Sequence, residues 1–385
     1  MTGPPPVLVV ESLAMSQSPD PSSVRIEGHA LVLFAFDIGF QVDLEAAQPL
    51  VQEATRHRVV RARRPAPAWF DYSPPPLRLV AEGDAVDVNG VATESSVEVL
   101  IYDFGAALLT YRLPLPESLA GLPGLGESLY EHAGLGADAR QRAARVLEAI
   151  RPAVERPKLA EAVEDYVVFA MTSWDGGSPA ELLNKHRAVI AQAIEAERIG
   201  LSAEQIGRTT ESTMAYAESD LAIVDWNAAV LFDAEPEDVI SVLQHANIEL
   251  LELRVLDQEL DAILDHADDT LSALTRSRFW PAFASSRVLR RLASVQTDAA
   301  VMFEGVNNAI KLLGNQYLAR LYRVSADCLD LSSWQASVQR KLEATDSLYA
   351  KMSDSTDTKR LEVLEWIIII LIALSIVLPF TPLYN

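Results

Sequence analysis

The chain has 385 residues, enough for two or three compact units, and carries 54 acidic against 32 basic side chains, for a net charge of −22 and a pI near 4.7. That balance argues against a broad phosphate-binding surface, because nucleic-acid affinity comes largely from counterions displaced by Lys and Arg. A single cysteine, Cys328, excludes an internal disulfide and a Cys-rich zinc site and fits a free thiol in a reducing compartment.

At the N-terminus, Met1–Pro6 is polar and Pro-rich and Val7–Val10 is too short for the apolar core of a signal peptide, so no leader is expected. Three related stretches follow in the first 235 residues. Phe36-Asp37-Ile38-Gly39, Tyr102-Asp103-Phe104-Gly105 and Val224-Asp225-Trp226-Asn227 each join two apolar runs. Gly and Asn tolerate positive φ and Asp bonds nearby backbone, so each stretch predicts a β-hairpin turn. Each is followed by a helix opening, at Asp43-Leu44-Glu45, Leu115-Pro116-Glu117 and Glu235-Pro236-Glu237. Repeated hairpin-helix units predict an α/β sandwich with an antiparallel sheet. The Asp of each turn is explained by turn chemistry rather than by catalysis, and Trp226, the odd residue of the third copy, is expected to pack between units.

Between the first two turns, Arg56, Arg58, Arg61, Arg63 and Arg64 crowd into nine residues before a Pro-rich stretch, Pro65–Pro76. They could hold an acidic partner, an RNA backbone or the protein's own carboxylates, and an exposed strand whose arginines neutralise neighbouring acids is the simplest reading. Helical spacing returns over 137–150, 179–197 and 202–217, with the turn Trp174–Ser178 between. His186, flanked by Lys185 and Arg187, reads as a surface basic spot.

From Pro236 the pattern becomes that of long helices. Leu253, Leu256, Leu260, Ile263 and Ala267 recur three and four apart, as do Phe303, Val306, Ile310 and Leu313, and this predicts a seam between antiparallel coiled-coil helices, and with it a homo-oligomer. Phe279-Trp280-Pro281 should break the pair. A further helix is expected over 332–352, ending at Ser353–Thr358. On the first long helix Asp257, Asp261 and Asp265 lie at four-residue spacing, with His266 and Asp269 on another face. Asp261, Asp265, His266 and Asp269 are the candidate metal ligands, but the facing helices offer only Asp298 and Glu304, so a solvated acidic face is preferred and no metal or cofactor is expected. The phosphate, dinucleotide, zinc-protease and nucleophile-elbow motifs are all missing from the sequence, which favours a non-enzymatic role.

The chain closes on Trp366–Phe380, WIIIILIALSIVLPF, without a charge. As a helix, 366–383 is roughly 27 Å long, close to the ~30 Å hydrocarbon core. Trp366, Ile367, Ile370, Leu374, Val377 and Phe380 are therefore expected in a membrane anchor. Lys351, Lys359 and Arg360 precede it, so the positive-inside bias would keep the bulk in the cytoplasm.

Phe34–Asp43 (FAFDIGFQVD), Asn247–Asp261 (NIELLELRVLDQELD) and Leu361–Ala373 (LEVLEWIIIILIA) resemble three stretches of the family named for its requirement in meiotic nuclear division. That family has mitochondrial inner-membrane members in animals and related bacterial proteins. The resemblance implies an α/β head, a coiled-coil region, a C-terminal membrane segment and homo-oligomerisation, and brings no catalytic residues with it. Animal members support mitochondrial translation, apparently by tethering, whereas this chain is far more acidic and shows no transit-peptide pattern. The expected organisation is thus α+β: an α/β sandwich head over 1–235, coiled-coil helices over 236–360 and a hydrophobic anchor over 361–385. The expected function is a membrane-tethered scaffold presenting an acidic head to a protein partner, the alternatives being a metal-dependent hydrolase and a ribosome-associated tether.

Overall fold

The computed structural model describes residues 20–55, 74–276 and 315–377. Its centre is a 12-residue strand, β1 (Ile26–Asp37), which reads LVLFAF without polar interruption because both faces of the sheet are covered. Alternate residues separate into two cores. Ala30, Val32, Phe34 and Phe36 face one, and Leu31, Leu33 and Ala35 face the other.

After β1 the chain forms β2 (Gln41–Val42) and α1 (Leu44–Thr55), then β3 (Leu77–Glu82), β4 (Asp87–Val88), β5 (Val91–Ala92), β6 (Ser96–Ile101) and β7 (Ala106–Pro114). Helices α2 (Leu122–Leu129) and α3 (Ala133–Ile150) precede β8 (Val154–Glu155) and β9 (Val163–Trp174). Next come α4 (Pro179–Ile194), α5 (Ala203–Thr209), β10 (Thr213–Met214), β11 (Leu221–Val224) and β12 (Ala228–Phe232). The described residues continue with α6 (Glu237–Arg276), α7 (Gln316–Cys328) and α8 (Leu331–Val377). Eight strands form one sheet in the order β10-β11-β12-β9-β1-β7-β6-β3, antiparallel except for the parallel pair β9/β12.

Two of the three predicted hairpins form, β6–β7 around Asp103 and β11–β12 around Asp225. The first does not. After Asp37 the chain leaves the sheet and β2 pairs with β8 instead. Close approach explains that exit: a Cβ on Gly105, at φ +98°, would lie 1.8 Å from the Gly39 carbonyl oxygen, so the β6–β7 turn occupies the space a returning strand would need. The N–H of Ile38 donates to the Gly105 carbonyl at 2.8 Å and locks the two loops together.

One face of the sheet is covered by α1 to α4. Helix α3 is tied down by a buried polar network in which the Tyr111 hydroxyl donates to Asp138 (2.7 Å) and Arg142 donates to Asp138 (2.6 Å) and to the Asp84 carbonyl (3.0 Å). The start of α4 carries a capping box between Ser178 and Glu181 with Pro179 in the first turn. The other face is covered by α6, α7 and α8. Val242, Leu243, Ala246, Leu250 and Leu253 of α6 share one core with Leu33, Val168 and Leu231 of the sheet. The helices beginning at 237 are therefore a layer of the same sandwich.

The seam residues Leu253, Leu256, Leu260 and Ile263 are all buried in that core, against helices of the same chain. Phe303, Val306, Ile310 and Leu313 lie outside the described residues, as does the break at 279–281. Contacts between α6 and α8 advance together along both helices: Gln335 reaches Glu249, Ser337 reaches Asp257 and Lys341 reaches Asp257 and Asp261. This described pair is consequently parallel, whereas the antiparallel partner expected for α6, the stretch carrying Phe303–Leu313, lies outside the described residues. Helix α8 also runs without a stop through Ser353–Thr358, since Ser, Thr and Asp cost only fractions of a kcal/mol each in a helix interior.

The expected C-terminal membrane helix needs correction. Among the described residues no helix is long and apolar enough to cross a membrane. The uncharged part of α8 within them, 366–377, spans about 18 Å, and extending it backwards takes in Glu365, Glu362 and Arg360. Of the predicted anchor residues, Trp366, Ile367, Ile370, Leu374 and Val377 are on this helix, while Phe380 lies outside the described residues.

Candidate functional site

Strand β12 begins opposite Val167, so the first four residues of β9, Val163–Tyr166, have β1 on one side and no described strand on the other. The resulting notch opens into a cleft of about 170 Å³. Its floor is Val163, Val167 and Phe169. Trp226 and Asn227, in the β11–β12 turn, form one wall, and Tyr130 and Glu131 after α2 form another. Asn247, Leu250 and Arg254 of α6 close the third side. Trp226 is 59% exposed and Tyr130 51% exposed, although both are large enough to bury if packing were their task.

Charge in the cleft is unbalanced. Glu131, Glu164 and Asp165 line it, against the single guanidinium of Arg254. Glu164 is buried and hydrogen-bonded to Arg254, and loss of water pushes its carboxyl up to about 7 despite that cation. Asp165 is open to solvent, yet the surrounding apolar walls still raise it, and the charge of Glu131 adds to the effect.

A second acidic group lies at the same end of the sheet, under α6. Glu252 is 2% exposed with both carboxyl oxygens lacking a hydrogen-bond partner among the described residues, and burial, followed by the charges of Asp37 and Glu259, drives its pKa well up. Burial likewise carries Asp37 up to about 7, with Glu259 adding to it and the Gly39 N–H and Lys158 opposing it. Two such carboxyls cannot both ionise cheaply, so near neutrality the pair retains a proton. One helical turn earlier, Glu249 accepts hydrogen bonds from the Tyr322 hydroxyl of α7 and from Gln335 of α8 (3.0 Å). That network joins three helices and is structural.

The family described as "Uncharacterized protein MJ0711, N-terminal domain" matches residues 27–238, more than half of the chain. The chain belongs to this family. Uncharacterized protein MJ0711 of Methanocaldococcus jannaschii is 21% identical over 220 residues, covering 56% of this chain and 66% of that protein's length. No solved structure matches. The region shared with the MJ0711 N-terminal domain family runs from the second residue of β1 through β12 and ends as α6 begins. The floor of the cleft, Tyr130, Trp226 and the carboxylates of β9 thus fall inside the family region, whereas its α6 wall lies beyond.

The sequence-predicted site residues are scattered. Asp37, Asp103 and Asp225 do lie at one end of the sheet, but β12 and β7 are three strands apart, about 14 Å, which rules out a single carboxylate triad. Each carboxylate accepts a backbone N–H within two residues, that of Gly39, Phe104 or Trp226, as turn chemistry requires. Trp226 does not pack between units, because the turn projects it into the cleft mouth. His186 is buried rather than on the surface, at a non-helical kink inside α4, and burial lowers its pKa. Among the metal candidates, Asp261 is held by Lys341 at 2.7 Å and Asp265 is exposed on the helix surface, while nothing is described of the side chains of His266 and Asp269. Among the described residues no group of three or more His, Cys, Asp or Glu could hold a metal ion. Arg56, Arg58, Arg61, Arg63 and Arg64 lie outside the described residues.

The notch itself escaped sequence reasoning. Arg254 lies 90 residues beyond Glu164 in the chain, and only the paired acids at the start of an apolar run (EDYVVFAM) hinted at a strand whose first residues face water.

Proposed function

We propose that the protein is a non-enzymatic adaptor whose acidic α+β body binds a partner and whose long terminal helix attaches it to a lipid surface. The observation that carries this reading is the end of α8. Ile368, Ile369, Leu371 and Ile372 are each about half exposed at the far end of a 47-residue helix, roughly 70 Å long, whose first part is docked on α6. Four large apolar side chains side by side on a charged protein mark a contact surface. A body of net charge −22 is repelled by anionic headgroups, so attachment to lipid needs such an apolar element. Insertion of the apolar helix end into the interface fits an exposed stripe of this kind. The reading agrees with the tethering role implied by the resemblance described above, with the bulk of the chain on the cytoplasmic side.

The metal-dependent hydrolase gains no support among the described residues, where no group of three or more His, Cys, Asp or Glu could hold a metal ion and Lys341 pairs with Asp261. Self-association cannot use Leu253, Leu256, Leu260 or Ile263, which are consumed within the chain. The test is flotation of the full chain with phosphatidylcholine vesicles, alongside a variant with serine at 368, 369, 371 and 372. Wild type should rise with the vesicles and the variant should stay behind. If wild type instead remains in the dense fraction as a detergent-free oligomer that the variant converts to monomer, these residues join copies of the chain and the lipid reading is wrong.

A further inference from the structure

We infer that the notch beside β9 is a docking site for a lysine or arginine side chain presented by a protein partner. The inference deepens the adaptor reading by naming what the acidic body recognises. Size comes first. Sites for nucleotides and other cofactor-sized ligands occupy roughly 300–1,000 Å³, whereas this cleft holds about 170 Å³, room for one extended side chain.

Charge selects the kind of side chain. Glu131, Glu164 and Asp165 outnumber Arg254, and Arg254 is committed to Glu164, which leaves Asp165 and Glu131 facing the mouth. An anionic or phosphorylated partner would be repelled. The exposed rings of Trp226 and Tyr130 supply the third element, because an ammonium or guanidinium over an aromatic face gains about 0.5–2 kcal/mol, most over Trp. Among the described residues no cation is placed over either ring. The backbone adds direction. Residues 163–166 of β9 lack a described strand neighbour on the notch side, so an extended segment carrying the basic side chain can lie along that edge in the manner of an added strand.

The full chain carries six tryptophans and a large negative charge, so attraction to any cation is expected and only a comparison between variants decides the matter. The probes are blocked heptapeptides that differ at the central residue: lysine, arginine, norleucine or glutamate in an otherwise alanine-glycine sequence. Affinity is measured by calorimetry and by fluorescence at moderate salt. Lysine and arginine peptides should bind saturably, and norleucine and glutamate peptides at least about tenfold more weakly. Trp226→Leu and Asp165→Asn should each weaken lysine-peptide binding by about fivefold or more while leaving the melting temperature unchanged, since both side chains are exposed. Binding that ignores both substitutions, norleucine binding as well as lysine, or no binding up to millimolar peptide would each overturn the inference. None of these outcomes depends on the end of α8, so loss of vesicle flotation and loss of peptide binding are separable failures.

Discussion

Glu252 sits where a leucine would be expected. Its neighbours on α6, Leu251, Leu253, Val255 and Leu256, are core residues, and neither of its carboxyl oxygens has a hydrogen-bond partner among the described residues. Burying a protonated carboxyl without a partner costs roughly 1–3 kcal/mol, and an ionised one costs more. Substitution by an apolar residue of similar length should remove that cost. Glu252→Leu is expected to raise stability by about 1–2 kcal/mol in denaturant titration at pH 7 with an unchanged m-value, and Glu252→Gln to change it little. A destabilised Glu252→Leu would mean that this carboxyl has a partner in the native protein. From sequence alone Glu252 was invisible, because an acid within an apolar helix is ordinarily assigned to the solvent face, and only the sheet and helices packed around α6 place it inside.

Elements were more legible than their partners. Turns at Asp103 and Asp225 could be read because Asp with Gly or Asn between apolar runs is a local signal, whereas the failure of the hairpin at Asp37 depends on Gly105 approaching Gly39, 66 residues away in the chain. Helix α6 was legible from its three- and four-residue spacing, but an apolar stripe does not say whether a helix or a sheet will cover it, and here both do. Strand β9 was missed because VVFAM is buried on both faces and shows no alternation. The polar side chains that fix how the long helices lie together were missed for a related reason, since they read as an acidic face. Lys341 donates to Asp257 at 2.8 Å and Asp261 at 2.7 Å, with Ser337 adding a bond to Asp257 at 2.9 Å. The pair with Asp257 is largely enclosed and that with Asp261 is more open, so the first should matter more. In a double-mutant cycle, Lys341→Met with Asp257→Asn should show a coupling of about 1–2 kcal/mol, and Lys341→Met with Asp261→Asn less than about 0.5 kcal/mol. Equal couplings would show that enclosure by α8 does not strengthen the inner pair.

For the molecule as a whole, acidity and burial act on stability in the same direction. Asp37 and Glu164 each titrate near pH 7 in the folded chain, above ordinary values of 3.8 and 4.5. Between those limits the folded state binds more protons than the unfolded state, so the associated stability is fully present below about pH 4 and is lost as pH rises through 7. Self-repulsion of a chain at −22 grows over the same interval. Thermal unfolding is therefore expected to be higher at pH 5.5 than at pH 8, opposite to the trend of a protein held by paired carboxylates. Asp37→Asn separates the two causes, because it keeps an acceptor for the Gly39 N–H but cannot ionise. It should remove about 1–2 kcal/mol of the difference between the two pH values, a shift of a few degrees in melting temperature, whereas Asp265→Asn, on the exposed face of α6, alters net charge equally and should change little. Identical pH dependence in the two variants would assign the whole effect to net charge and leave the Asp37–Glu252 pair without a part in it.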